Sequence, residues 1–267
     1  MRENTPPAAD AFAPLDVADL HARLVGLRLG RPLLYFPAIG STNTHAVELA
    51  REGAAEGTLV TTDDQTAGRG RIGRAWRSLP GQQLALSLVL RPSFPPQFLI
   101  MASAIAVAET ASELTGAPAE IKWPNDVLIA GRKVCGILIE SSGGFVVLGV
   151  GLNVNGSLAG DPELAARATT LAEAAGGPIS REAVAAALLT RLDAYYFQLQ
   201  SGGDQARTQI REEWRARLVT LGRTVTLRQG EEAVAGFAQD VNADGALLLR
   251  LPSGGLRTVT WGDVEAT

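Results

Sequence analysis

The sequence predicts an α+β protein: a mixed, largely antiparallel sheet with helices, followed by a small antiparallel β-barrel. Three observations carry this. Residues 127–155 run as consecutive β-segments around short Gly turns, which favours antiparallel pairing over βαβ winding. The stretch "FLIMASAIAVAETASELTG" (98–116) is long, Ala-rich and apolar enough to be a buried helix. After Leu221 the chain changes character, giving "TVTLRQG", "EEAVAGFAQDV", "GALLLRLP" and "LRTVTWGDV", four short β-segments between Gly, Asn and Asp turns.

The elements follow in order. Residues 1–14, rich in Pro and Ala, read as a frayed leader. "DVADLHARL" (16–24) has helical spacing with Asp16 as its cap. "LLYFPA" (33–38) is the first strand, and a helix starts at Ser41 and stops at Gly53. "TLVTTDD" (58–64) is β-rich and runs into "TAGRGRIGRAW" (66–76); "QLALSLVLR" (83–91) is the next strand. The long helix stops at Gly116, and a meander follows: 127–130, 133–141 and 145–155. Helices over 180–200, capped by Ser180, and 203–218 precede the barrel. The expected domains are a partly disordered leader at 1–32, a catalytic domain at 33–220 and the barrel at 221–267.

Composition bounds the function. At 267 residues, 46% hydrophobic and 19% charged, the chain suits a globular protein with a sizeable core. A net charge of −4 argues against wholesale nucleic-acid binding, which needs a basic face. One cysteine, Cys135, excludes an internal disulfide and fits a reducing, cytoplasmic setting. With two histidines besides, no Cys/His metal cluster is available. The N-terminus lacks a signal peptide's apolar core, and no run approaches ~18 apolar residues, so no membrane span is expected.

Several motifs point to a ligand. Gly68, Gly70 and Gly73 let backbone approach a ligand, while Arg69, Arg71 and Arg74 supply guanidiniums for phosphate or carboxylate. The loop is neither a Walker loop nor a Rossmann fingerprint, since no Gly-Lys-Ser/Thr ending and no following helix are present; an exposed basic loop without a ligand is the alternative. "KWPND" (122–126) turns the chain after a strand and carries Lys122, Asn125 and Asp126, the last able to hold Mg²⁺ on a nucleotide phosphate. A plain turn with a packed indole is the alternative there.

By period two, Lys133 shares a strand face with Cys135, Ile137 and Ile139, which is costly unless it meets an anion or snorkels at the strand end. Gly136 and Gly149 inside strands mark close approach of a ligand or backbone. Ser41, Thr42 and Asn43, with Gln65, suit a neutral polar group, or form only a turn and cap. Asn153, polar in apolar surroundings, needs a partner. Together these ask for a ligand with a neutral polar head, an apolar body against Trp76 and an anionic end.

The strings "STN", "QTAGRGRIGRAW", "KWPND", "GRKVCGILIE" and "GVGLNVN", in this order and spacing, resemble those of biotin protein ligases. The resemblance runs from about residue 33 to the C-terminus. It implies a catalytic domain related to class II aminoacyl-tRNA synthetases and an SH3-like barrel. It implies biotin activation by MgATP to biotinyl-5′-AMP, then transfer to a lysine of a biotin carboxyl carrier domain. Ser41, Thr42, Asn43, Gln65 and the backbone of Gly68, Arg69, Gly70 and Arg71 would hold the ureido head. Trp76, Gly136, Leu138 and Gly149 would line the tail, and Lys133 would meet the carboxylate.

Arg71 and Arg74 would close over the phosphates as a ligand-ordered lid, with Lys122, Asn125, Asp126 and Asn153 near nucleotide and Mg²⁺. Lys133 and Arg71 are the residues given a catalytic role. ATP, Mg²⁺, biotin and the carrier domain are the implied partners, with no DNA and no membrane, and monomer or homodimer left open. Two positions depart from the family pattern: Ile72 replaces an Arg common there, and Cys135 replaces another small residue, suggesting sensitivity to alkylation. The 32 residues before the first strand are too few for the winged helix that some members carry, so a biotin-sensing DNA-binding role is not expected. A lipoate–protein ligase of the same fold is the nearest alternative.

Overall fold

The computed structural model describes residues 13–77 and 79–266. Twelve strands and seven α-helices form two sheets among the described residues. The larger sheet holds β1 (Leu33–Ile39), β2 (Leu59–Gln65), β3 (Leu84–Leu90), β4 (Ala119–Lys122), β5 (Asp126–Ile129), β6 (Arg132–Ser142) and β7 (Phe145–Leu152). Its order is β1-β2-β3-β7-β6-β5-β4; only β1 and β2 pair in parallel, joined over α2 (Thr42–Arg51). The sheet is therefore mixed and largely antiparallel.

Local chemistry sets the ends of the elements. Ser41 and Ser180 cap α2 and α6 (Arg181–Ser201) by accepting backbone N–H groups. Gly116 closes α3 (Pro96–Thr115) in the left-handed conformation. Helix α3 is long and apolar enough to cross a membrane, contrary to the reading of the sequence, but 67% of that stretch is buried under the sheet, α6 and α7 (Gly203–Ala216).

The leader expectation needs correction for residues 13–32; residues 1–12 lie outside the described residues. Helix α1 (Val17–Arg23) packs on α6, and Leu15, Leu20, Leu24 and Leu29 are buried in the main core. The segment is pinned as well as packed: Asp63 accepts from Leu15 N–H, and buried Arg181 bonds both Asp63 and the Ala13 carbonyl. Two short helices, α4 (Pro162–Arg167) and α5 (Leu171–Ala175), lie between β7 and α6.

The second sheet contains five strands, not four: β8 (Thr224–Gln229), β9 (Glu232–Val241), β10 (Leu247–Arg250), β11 (Leu256–Val259) and β12 (Asp263–Ala266), all antiparallel. The expected last segment breaks at Gly262, whose φ of 139° is open to glycine and where a Cβ would meet Arg228 O at 2.9 Å. The barrel is bonded to the catalytic unit. The buried indole of Trp123 donates to Gly245 O at 2.9 Å, and Arg215 pairs with Asp240. Trp123 thus serves as the packed indole of the plainer reading.

Candidate active site

The floor of the site is made where β6 and β7 lack side chains. Gly136 faces Gly151 across the ladder, and Leu138 faces Gly149. The Trp76 indole lies in this trough: a Cβ on Gly151 would come within 2.6 Å of its Cε2, and one on Gly136 within 3.0 Å of its Cζ3. The indole Nε1 is buried without a hydrogen-bond partner. The resulting cavity, open to solvent on one side, holds about 110 Å³. Pockets for drug-sized ligands measure ~300–1,000 Å³, and the Trp76 indole takes up space that a ligand in this trough would need.

The period-two reading placed Lys133 on the face of Cys135 and Ile137, and the structure corrects it. The register between β5 and β6 steps at Val127/Leu128, leaving Val134 without a partner on β5. This bulge turns Lys133 out of the core, where Cys135 and Ile137 remain buried, and onto the face of Gly136 and Leu138. There Lys133 Nζ lies 2.7 Å from Asp126 Oδ1 and 5.6 Å from the centre of the Trp76 ring. Burial raises the Cys135 thiol pKa far above its ordinary value, the opposite of the expected sensitivity.

The Gly/Arg loop has backbone order of its own, beyond the expectation that ligand would order it. Arg69 and Ala75 bridge, Trp76 N–H donates to Gly68 O at 2.9 Å, and Gly70 N–H donates to Arg74 O at 2.7 Å. Its arginines reach outward to three elements. Arg69 pairs with Glu140, and Arg71 donates to Asn125 Oδ1 at 2.5 Å and to Gly262 O at 3.3 Å. Arg74 pairs with Asp263 of the barrel.

At the opposite end, Gln65 Oε1 accepts from Thr42 N–H at 2.9 Å, and Ser87 bonds both Thr42 and Asn43. The cavity therefore brings together Ser41, Thr42, Asn43, Gln65, Arg69, Gly70, Arg71, Arg74 and Trp76 with Asn125, Asp126, Lys133, Gly136, Leu138 and Gly149. Three expected residues do not line it. Gly68 lies behind Trp76, and Asn153 is buried with its amide donating to Thr169 O at 3.1 Å, which gives it a structural partner instead. Lys122 stands opposite Asp126 in the β4–β5 ladder, its ammonium without a hydrogen bond or ion pair among the described residues; burial lowers its pKa, with Asp126 opposing that shift.

Four contributors went unread. Gly151 obeys the same strand-glycine rule as Gly149. Glu140 follows Gly136 and Leu138 by period two. Ser87 is hidden in an apolar strand, and nothing in the sequence marks Asp263, 189 residues from its partner.

The larger sheet and the barrel share one cavity, to which the barrel contributes Asp263. Residues 35–157 match the Biotin/lipoate A/B protein ligase family, and residues 220–266 match the Biotin protein ligase C terminal domain. The chain is 37% identical over 261 residues to the biotin–[acetyl-CoA-carboxylase] ligase of Mycobacterium tuberculosis, covering 94% of this chain and 95% of that one. It is 36% identical over 247 residues to the bifunctional ligase/repressor BirA of Bacillus subtilis, covering 89% and 74%. The biotin protein ligase from Aquifex aeolicus, solved in complex with biotin and ATP, superposes with a TM-score of 0.77 at 28% identity, covering 88% and 98%. The chain belongs to the biotin protein ligase family.

Proposed function

We propose that the protein joins biotin to a carrier domain in two steps. The biotin carboxylate attacks the α-phosphorus of ATP; the α–β phosphoanhydride bond breaks, and pyrophosphate leaves. A carrier lysine amine then attacks the acyl carbon of biotinyl-5′-AMP; the amide forms, AMP leaves and the amine proton passes to solvent. The observation that carries this reading is one continuous cavity with hydroxyls and amides at one end, a glycine trough in the middle and Arg71, Arg74 and Lys133 at the other.

The cations have a clear task. A carboxylate and a phosphate repel each other until positive charge is placed between them, and a fixed array does so without reorganisation. Lys133 supports this role because its present partner, Asp126, is a carboxylate that the substrate's carboxylate can replace. Arg71 and Arg74 are proposed to take the phosphates, with Lys122 adding charge from behind. Among the described residues no three His, Cys, Asp or Glu side chains cluster as a metal site. Mg²⁺ carried by ATP needs only one or two protein carboxylates, and Asp126 faces the cavity to supply one.

By their names, relatives act on acetyl-CoA carboxylase and combine ligase with repressor activity. For this chain we take a biotin carboxyl carrier domain as the acceptor and the cytoplasm as the setting. The test is biotin-dependent exchange of labelled pyrophosphate into ATP, followed by transfer of labelled biotin to a carrier domain. Exchange supported by lipoate and not by biotin would overturn the assignment.

A further inference from the structure

Behind the polar end of the cavity, side chains from four elements form one hydrogen-bonded chain. Asn43 Nδ2 donates to Glu140 Oε2 at 3.0 Å, and Asn43 Oδ1 accepts from the Ser87 hydroxyl at 2.6 Å. Ser87 Oγ lies 2.8 Å from Thr42 Oγ1, which lies 3.1 Å from Gln65 Oε1. Ser87 is wholly buried, and Thr42 and Asn43 are nearly so, so water cannot substitute for a missing partner. Gly149 makes this packing possible, since a Cβ there would sit 2.0 Å from Asn43 Oδ1. Each end of the Asn43 amide thus has one protein partner, which fixes which end faces Glu140 and which faces Ser87.

The sense of the chain is set at one end. A carboxylate can only accept, so Glu140 forces Asn43 to present its NH₂ there and its oxygen to Ser87. The single Ser87 proton is then committed to Asn43. The Thr42 hydroxyl must donate inward, to Ser87 or Gln65, which leaves a Thr42 lone pair for the cavity. Gln65, whose oxygen already takes Thr42 N–H, keeps its Nε2 without a partner among the described residues, beside Gly68.

We propose that Glu140 and Ser87 are positioning residues that fix the donor–acceptor sense of the Thr42 hydroxyl, making it an acceptor beside Gln65, which the Thr42 N–H already turns into a donor. That pair matches a cyclic urea, which offers a ring N–H and a carbonyl oxygen. Glutamine in place of Glu140 can present either end of its amide, so Asn43 is free to flip. Ser87 can then turn its proton to Thr42, and Thr42 can point its own proton at the ring N–H. The inference rests on biotin as the ligand.

Biotin and its two mono-N-methyl ureido analogues are titrated into the wild-type protein, Glu140→Gln, Ser87→Ala and the double variant. Loss of one oriented hydrogen bond is worth roughly five- to tenfold. Each single variant should weaken biotin by about that factor, leave the KM for ATP unchanged, and scarcely alter the already weak binding of the analogue methylated at the Thr42-facing nitrogen. The double variant should be no worse than the weaker single one, because both act through one chain. Glu140 also pairs with Arg69, and Ser87→Ala separates the two effects: wild-type biotin affinity in that variant overturns the proposal. Equal losses for biotin and both analogues, or additive losses in the double variant, overturn it too. If the wild-type protein itself fails to bind biotin, the functional reading falls first.

Discussion

Asp263, on strand β12 of the barrel, pairs with Arg74 of the Gly/Arg loop, and the carbonyl of its neighbour Gly262 accepts from Arg71. Two arginines proposed to meet phosphate are thus held, through one turn, by the second domain. A carboxylate rests on Arg74 where a nucleotide phosphate would compete for it.

Asp263→Asn keeps the shape and removes the competing charge. Arg74 is mostly exposed and Asp263 less so, and such pairs are worth ~0.2–1 kcal/mol, or up to about fivefold. ATP should bind up to about fivefold more tightly in an isothermal titration at fixed ionic strength. Weaker ATP binding would mean that Asp263 assists the nucleotide rather than standing in its place.

Gly151→Ala should fill the trough under Trp76. The new methyl would lie 2.6 Å from the indole, and the loop can yield more easily than the central strand. Biotin affinity should fall roughly five- to more than hundredfold, as for other overpacked sites costing ~1–3 kcal/mol, while the unfolding midpoint moves little. A tryptophan emission shift to the red would report the displaced ring.

Lys122 gives a pH signature. Burial opposes its ammonium form, so its folded pKa lies below the ordinary 10.5. In the window between that lowered value and 10.5 the unfolded chain binds the extra proton, so this group makes stability rise with pH. Phosphates restore the charged form, so ATP binding in the same window should take up a proton. The binding enthalpy should vary with buffer ionisation heat there, and Lys122→Met should abolish the variation.

Cys135 should resist iodoacetamide in the folded protein at pH 8 and react on unfolding. Its thiol is fully buried and its pKa is raised by burial. The raised value also means that stability from the neutral thiol is complete below the ordinary pKa of 9.0 and is lost as pH rises above it. Rapid labelling of the native protein would show that the strand opens.

Much of the site was legible because its chemistry is local. Ser41 announces a cap by its type and place, and Gly149 announces a close approach by sitting inside a strand. A period-two count puts Lys133 on the wrong face, because a one-residue bulge at Val134 is invisible to it. Asp263 was illegible for another reason: its role exists only once the barrel docks, and no pattern around "WGDV" encodes that. The leader was misjudged by its proline-rich start, although Leu15, Leu20 and Leu24 recur at spacings that suit packing on α6.

The Arg74–Asp263 and Arg71–Gly262 contacts span 189 and 191 residues of chain. Contacts of such span repay their loop-closure entropy only after the intervening structure has formed. During synthesis, Trp76 and Lys133 leave the ribosome long before Asp263 does. A nascent chain can therefore build the glycine trough and its polar end while the loop above still swings free. A chain interrupted at that stage would carry the glycine trough with no latch over its cationic end.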